Sequence, residues 1–463
     1  MAEQAKFLEG SLLRHVTVMS LTASVGLMAI FVVDFVDMIF IGMLGQPALA
    51  AAVGYAGAIL FFTTSFAIGM AIAAGALVAR ALGAGDAERA RTVATNALVY
   101  GALVGVVFAV AVWLNLAPLV RLLGASGETE TLAVSYLAII VPTLPILMAA
   151  MVGGAILRAH GDARRAMMAT IWGGVVNAAL DPIFIFALGL GLNGAALASV
   201  AARITIAVMS LRPVVQVYDG IAPVRTGPLI RDASPVFAIA LPAILTQLAT
   251  PVGQAYVTRA MAEFGEQAVA GMAVVGRLTP VAFGVIFALS GAVGPIIGQN
   301  AGAGLTGRVR TAFRDALIFT AIVVVIVSSL LFLLRAPIAA LFALEGEALA
   351  LVYLFCGPLA LVFFFNGGLF VANAAFNNLQ HPYYSTWLNW GRHTLGTIPF
   401  VMLGAWALGA PGVLIGQAAG GVIFGTVALL LALRVIASEP GSPGPSPFQR
   451  MARHLSLFHS RPH

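Results

Sequence analysis

The segment ALGAGDAERAR (81–91) returns in the second half of the chain as NAGAGLTGRVR (300–310), with Gly83, Gly85 and Arg89 recurring as Gly302, Gly304 and Arg308. A second pair, GQPALAAAVG (45–54) and GEQAVAGMAVVG (265–276), repeats at nearly the same offset, again after a long apolar run. The chain is a duplication. Each Gly-Ala-Gly reads as a tight turn, because neither is followed by the Lys-Ser/Thr that a phosphate-binding loop needs. The stretches between the turns decide the fold class. Of 463 residues, 60% are hydrophobic and 9% charged, against about 25% charged in soluble domains. Such a chain is an all-α polytopic membrane protein.

A spanning helix takes about 20 apolar residues. Apolar runs broken by Gly, Pro and charge clusters predict twelve transmembrane helices, near 12–43, 48–80, 93–115, 131–157, 166–188, 193–217, 233–263, 267–298, 311–334, 348–376, 384–408 and 411–436. Six per repeat is an even number, so both halves cross the membrane in the same sense, as in the paired bundles of secondary transporters. The expected layout is two pseudo-symmetric six-helix lobes, 1–217 and 233–437, joined by a cytoplasmic linker at 218–232. A Pro/Gly/Ser-rich tail, 438–463, is expected to be disordered and cytoplasmic. Both termini then share one side, where most of the 24 basic residues gather, among them Lys6, Arg14, Arg80, Arg89, Arg158, Arg308, Arg310 and Arg434, while Arg121 and Arg335 lie opposite. The positive-inside rule makes that side cytoplasmic, with the chain in the inner (plasma) membrane. The polar start, MAEQAKFLEG, has no basic n-region or cleavage site, so the first helix is expected to be retained. Cys356 lies in an apolar run and reads as a small core residue. No Ser/His/Asp, metal-hydrolase or nucleotide motif is present, and the +6 charge is spread over loops. The expectation is a monomer that is not an enzyme, has no cofactor and binds no nucleic acid.

Only 18 residues are acidic, and three of them, Asp34, Asp37 and Asp181, fall inside predicted helices. A carboxylate in hydrocarbon costs roughly 2.5–3.5 kcal/mol on insertion scales, so each requires a reason. At 1.5 Å per residue, Asp37 lies ~12 Å, Asp181 ~10 Å and Ser199 ~9 Å inside the outer ends of their helices. Asn177 is four residues from Asp181 and shares its helix face. Pro182 frees the carbonyl of Ala178. Carboxylates, an amide, a hydroxyl and a spare carbonyl at one depth suit Na⁺, and the same carboxylates close together would bind a proton. A polar cluster that only fastens helices remains the competing reading. One turn deeper, Asp34 is expected to pair with Arg203, or alternatively to face the cavity and relay protons. The second half holds no acid in its helix interiors. Its polar residues, Gln247, Gln254, Arg277, Asn373, Arg392 and His393, are candidate substrate contacts. The Phe run 363–365 lines a pocket or meets lipid, lipid contact being the commoner role.

The segments VDMIFIGMLG (36–45), LGAGDAERAR (82–91), LRAHGDARR (157–165) and NAALDPIFIFALGLGLNGAALASV (177–200) resemble the multidrug and toxic compound extrusion (MATE) family, and the likeness runs over essentially the whole chain. The resemblance implies two lobes in a V and export of amphipathic organic compounds driven by H⁺ or Na⁺ antiport. Carried over, the family's first-helix aspartate falls on Asp37, its fifth-helix Asn and Asp on Asn177 and Asp181, and its sixth-helix threonine ligand on Ser199. The chain departs at the first-helix proline, which is Thr22 here (SLTASVG), although the second repeat keeps Pro242 (ALPAIL). The resemblance leaves a flippase for a lipid-linked saccharide as the alternative transporter and a polytopic scaffold as the non-transport reading.

Overall fold

The computed structural model describes residues 5–439. Among them every regular element is a helix. The first half contains α1 (Leu12–Met43), α2 (Pro47–Gly83), α3 (Ala87–Leu114), α4 (Gly127–Ala159), α5 (Ala163–Ala187) and α6 (Gly191–Gln216). The second contains α7 (Thr226–Ala262), α8 (Glu266–Ala282 and Gly284–Gly302), α9 (Thr306–Leu341), α10 (Gly346–Asn378), α11 (Pro382–His393 and Ile398–Leu408) and α12 (Ala410–Ser438). Among the described residues, eleven stretches are long and apolar enough to cross a membrane. The twelfth crossing, α11, comes in two short pieces, so the twelve transmembrane helices form two six-helix lobes as the duplication requires.

The boundaries depart from expectation where local chemistry intervenes. α7 starts at Thr226 rather than 233, since its first turns pack beside the first lobe. α8 is interrupted at Phe283, where the backbone leaves helical geometry. α11 breaks over 394–397, and the ring of Phe424 from α12 packs against Gly391 just before that break and Gly396 within it. Immediately after Pro182, α5 winds into a π-helical turn, Ile183–Ala187. Pro182 has no N–H to donate, so the ladder re-registers there. α1, which lacks the proline, runs unbroken for 32 residues. The predicted tail lies outside the described residues from 440 onward.

The lobes meet on the side that carries the two Gly-Ala-Gly turns. A Cβ on Gly83 would run into the backbone of Gln299, and one on Gly302 into the backbone of Arg80. The ends of α2 and α8 therefore touch backbone to backbone, as small residues allow in membranes. The amino-terminal segment seals the same face. Gln299 accepts from the Phe7 N–H (2.9 Å) and donates to the Ala159 carbonyl (2.7 Å), while Asn300 and Arg308 both donate to the Phe7 carbonyl. Nearby, buried Asp232 at the start of α7 accepts from Arg89 (2.7 Å) and Asn96 (2.8 Å) of α3. Asp86 caps α3 through the Arg89 N–H at 2.9 Å, but the equivalent position before α9 is Leu305 and provides no cap.

This crossing tolerates no side chain. Gly302→Val should force α2 and α8 apart and open the face. Spin labels at Ala84 and Ala303 should then report longer distances than in the parent protein, and unchanged distances would show that the crossing does not hold the face shut.

Candidate functional site

Three helices of the first lobe bring the predicted acidic cluster together. Asp37 on α1 is half-buried, and its carboxyl lies within hydrogen-bonding reach of the fully buried carboxyl of Asp181 on α5. Asn177, one turn earlier on α5, points its Nδ2 at Asp181 Oδ2 at 3.5 Å, the outer limit of a hydrogen bond. One oxygen of each carboxyl, Asp37 Oδ1 and Asp181 Oδ1, is buried with no protein partner. Tyr136 of α4 lies close to Ser199 of α6 and beside Asp37, Asp181 and Arg203, which places a phenol next to both the hydroxyl and the acids. It went unrecognised in the sequence, where its only signal is a phenol inside the apolar run 132–140.

The expected Asp34–Arg203 ion pair does not form. Arg203 instead donates to the Ile140 carbonyl (3.1 Å) and the Thr143 hydroxyl (2.8 Å), at the 3₁₀ turn between the two parts of α4. A carbonyl at a helix C-terminus carries partial negative charge, so it attracts the guanidinium without any carboxylate. Asp34 is exposed, three residues from Asp37, and has no hydrogen-bond or ion-pair partner among the described residues.

A cavity of about 800 Å³ opens between the lobes, bounded by α2 and α4 on one side and by α7, α8, α10, α11 and α12 on the other. Gln247, Gln254, Asn373, Arg392 and His393 line it. Arg277 does not; it is exposed and outside the wall, because its face of α8 turns away. Phe363 faces the cavity rather than lipid and stacks on Phe283 with ring centroids 4.1 Å apart. Arg158, assigned by sequence to the basic loops, also lines the cavity. It occupies the last turn of α4 and turns inward from there. Asp37 and Asp181 are not part of this wall.

Two repeated helix bundles around a cavity lined by amides and two arginines, with a pair of membrane-embedded carboxyls to one side, define a membrane transporter. The MatE family model matches residues 23–183 and 242–403, one stretch in each repeat. The chain belongs to the MatE family of multidrug and toxic compound extrusion transporters. It is 28% identical over 428 residues to an FAD transporter of Shewanella oneidensis, covering 90% of this chain and 93% of that one. It is 29% identical over 420 residues to a probable multidrug resistance protein, NorM, of Pseudomonas aeruginosa, covering 86% and 84%. Among solved structures, the Vibrio cholerae MATE transporter VcmN superposes with a TM-score of 0.87 at 25% identity, covering 92% of this chain and 98% of that one.

Arg203→Ala removes charged hydrogen bonds from the break in α4, a loss of about 2 kcal/mol. A lower melting temperature in detergent is expected. An unchanged melting temperature would mean that the guanidinium does not brace the break.

Proposed function

We propose that this protein is a secondary antiporter of the inner membrane, working as a monomer with both termini cytoplasmic. It exports amphipathic organic compounds in exchange for H⁺ or Na⁺. The lobes, 1–217 and 233–437 with the connection 218–232 between them, rock about their shared contact to expose the cavity to alternate sides. The observation that carries this reading is the contact between Asp37 and Asp181, each with an oxygen left unpartnered. No lysine or arginine forms an ion pair with either among the described residues. Two carboxyls in contact cannot both stay ionised without a cation, so they share a proton or admit Na⁺. Asn177, Ser199 and Tyr136 provide the remaining oxygens, and exposed Asp34 lies one turn from Asp37 on α1.

The substrate range follows the relatives in part: one is named for FAD and another for multidrug resistance. Exchange requires the ion and the substrate to favour opposite conformations, or to compete for one site. Asp37 and Asp181 lie outside the cavity wall, which favours the first arrangement.

Efflux from proteoliposomes under a pH gradient and under a Na⁺ gradient, imposed separately, tests the coupling. Asp37→Asn and Asp181→Asn should each abolish gradient-driven efflux while melting and gel filtration stay as in the parent protein. Full activity in both variants would remove these carboxyls from the coupling site, and efflux indifferent to both gradients would remove antiport altogether.

A further inference from the structure

We infer that the central cavity selects organic anions, specifically flat aromatic compounds that carry a carboxylate, sulfonate or phosphate. This assignment rests on the transport reading above and names its substrate class. The wall of the cavity holds two guanidinium groups and no carboxylate. Arg158 comes from α4 in the first lobe and Arg392 from α11 in the second, so the two charges approach from opposite sides. The Nε of Arg158 reaches to 3.9 Å from the Cβ position of Gly291 on α8, across the interlobe space. Neither side chain forms a hydrogen bond or an ion pair among the described residues. An arginine stays charged in a protein. Two such charges desolvated in one cavity repel each other and lose hydration without a protein counter-charge.

The rest of the wall mixes uncharged amides and hydroxyls, such as Gln247, Gln254 and Asn373, with apolar and aromatic side chains. Asn366 Oδ1 and His393 Nε2, on lining residues, are buried without partners. Phe61, Phe287, Phe363 and Phe370 provide ring faces and edges. A guanidinium is planar and presents paired donors that match an oxyanion at two points. An organic cation would meet the opposite field, with no carboxylate to receive it. The acids of the first lobe do not offset this, since neither Asp37 nor Asp181 lines the cavity. A volume near 800 Å³ accommodates one drug-sized molecule. Closing the lobes on an anion would bring both arginines onto it from either side.

A matched pair of dyes that share a xanthene ring isolates charge from shape. Purified full-length protein in neutral detergent, with no gradient present, is titrated with anionic carboxyfluorescein and with cationic rhodamine 6G by fluorescence anisotropy. Carboxyfluorescein should bind at least about tenfold more tightly, and its affinity should fall as NaCl is raised. Arg158→Gln and Arg392→Gln should each weaken it by about tenfold or more, whereas Arg277→Gln, outside the wall, should leave it unchanged. Equal or tighter binding of rhodamine 6G overturns the assignment, as does carboxyfluorescein binding that neither glutamine variant weakens. If the variants fail to fold, salt-independent binding of carboxyfluorescein to the parent protein overturns it instead. Binding here needs no gradient, so selective anion binding with gradient-indifferent efflux would refute the antiport and keep this assignment. The reverse pair of results would do the opposite.

Discussion

The crossing of α2 and α8 requires that two chain segments from different lobes come into backbone contact inside a membrane. Only residues without a side chain permit that approach, and Gly83 and Gly302, equivalent positions of the two repeats, provide it. From that contact the lobes diverge, and the divergence makes the cavity. The strap at Phe7 and the Asp232 cluster reinforce the same face. With one face held by backbone packing and short hydrogen bonds, the cavity has a floor, and motion of the lobes has a place to break and re-form.

Asp37 and Asp181 lie in the first lobe, in the layer formed by α1, α4, α5 and α6, and the cavity takes its two arginines from either lobe. An ion held by Asp37 and Asp181 does not touch a molecule on the cavity wall. Any communication between them has to pass through packing, and α1 is the element placed for it. One face of α1 lies against α5, where Gly26 meets Met167. The other reaches the second lobe, where Met28 fills the space over Gly284 of α8. A change in charge at Asp37 therefore acts on a helix that is shared by both lobes.

How much was legible in the sequence varied with the kind of interaction. The duplication, the helices and the acidic pair could be read because each leaves a pattern along the chain: recurrence, apolar length, or a carboxylate where none belongs. Depth along two separate helices was enough to align Asp37 and Asp181, since helical rise is constant. Arg203 was misread because depth places a residue along the membrane normal but not around the helix, and its partners proved to be a backbone carbonyl and Thr143. Tyr136 escaped notice because an aromatic in an apolar run looks like packing. Arg158 looked like a loop charge because it ends its helix, and only the inward direction of that last turn makes it part of the cavity.

By itself, then, the sequence determined that this chain crosses a membrane as two copies of one bundle and that the amino-terminal copy buries acids. Composition and repetition are properties of the chain taken in order. The tertiary structure alone decided which oxygens meet, that Asp34 has no arginine partner among the described residues, that Arg277 lies outside the cavity, and that one unpaired guanidinium from each lobe lines it. Those facts depend on rotation about helix axes and on which lobe packs against which, and no spacing along a single chain encodes them.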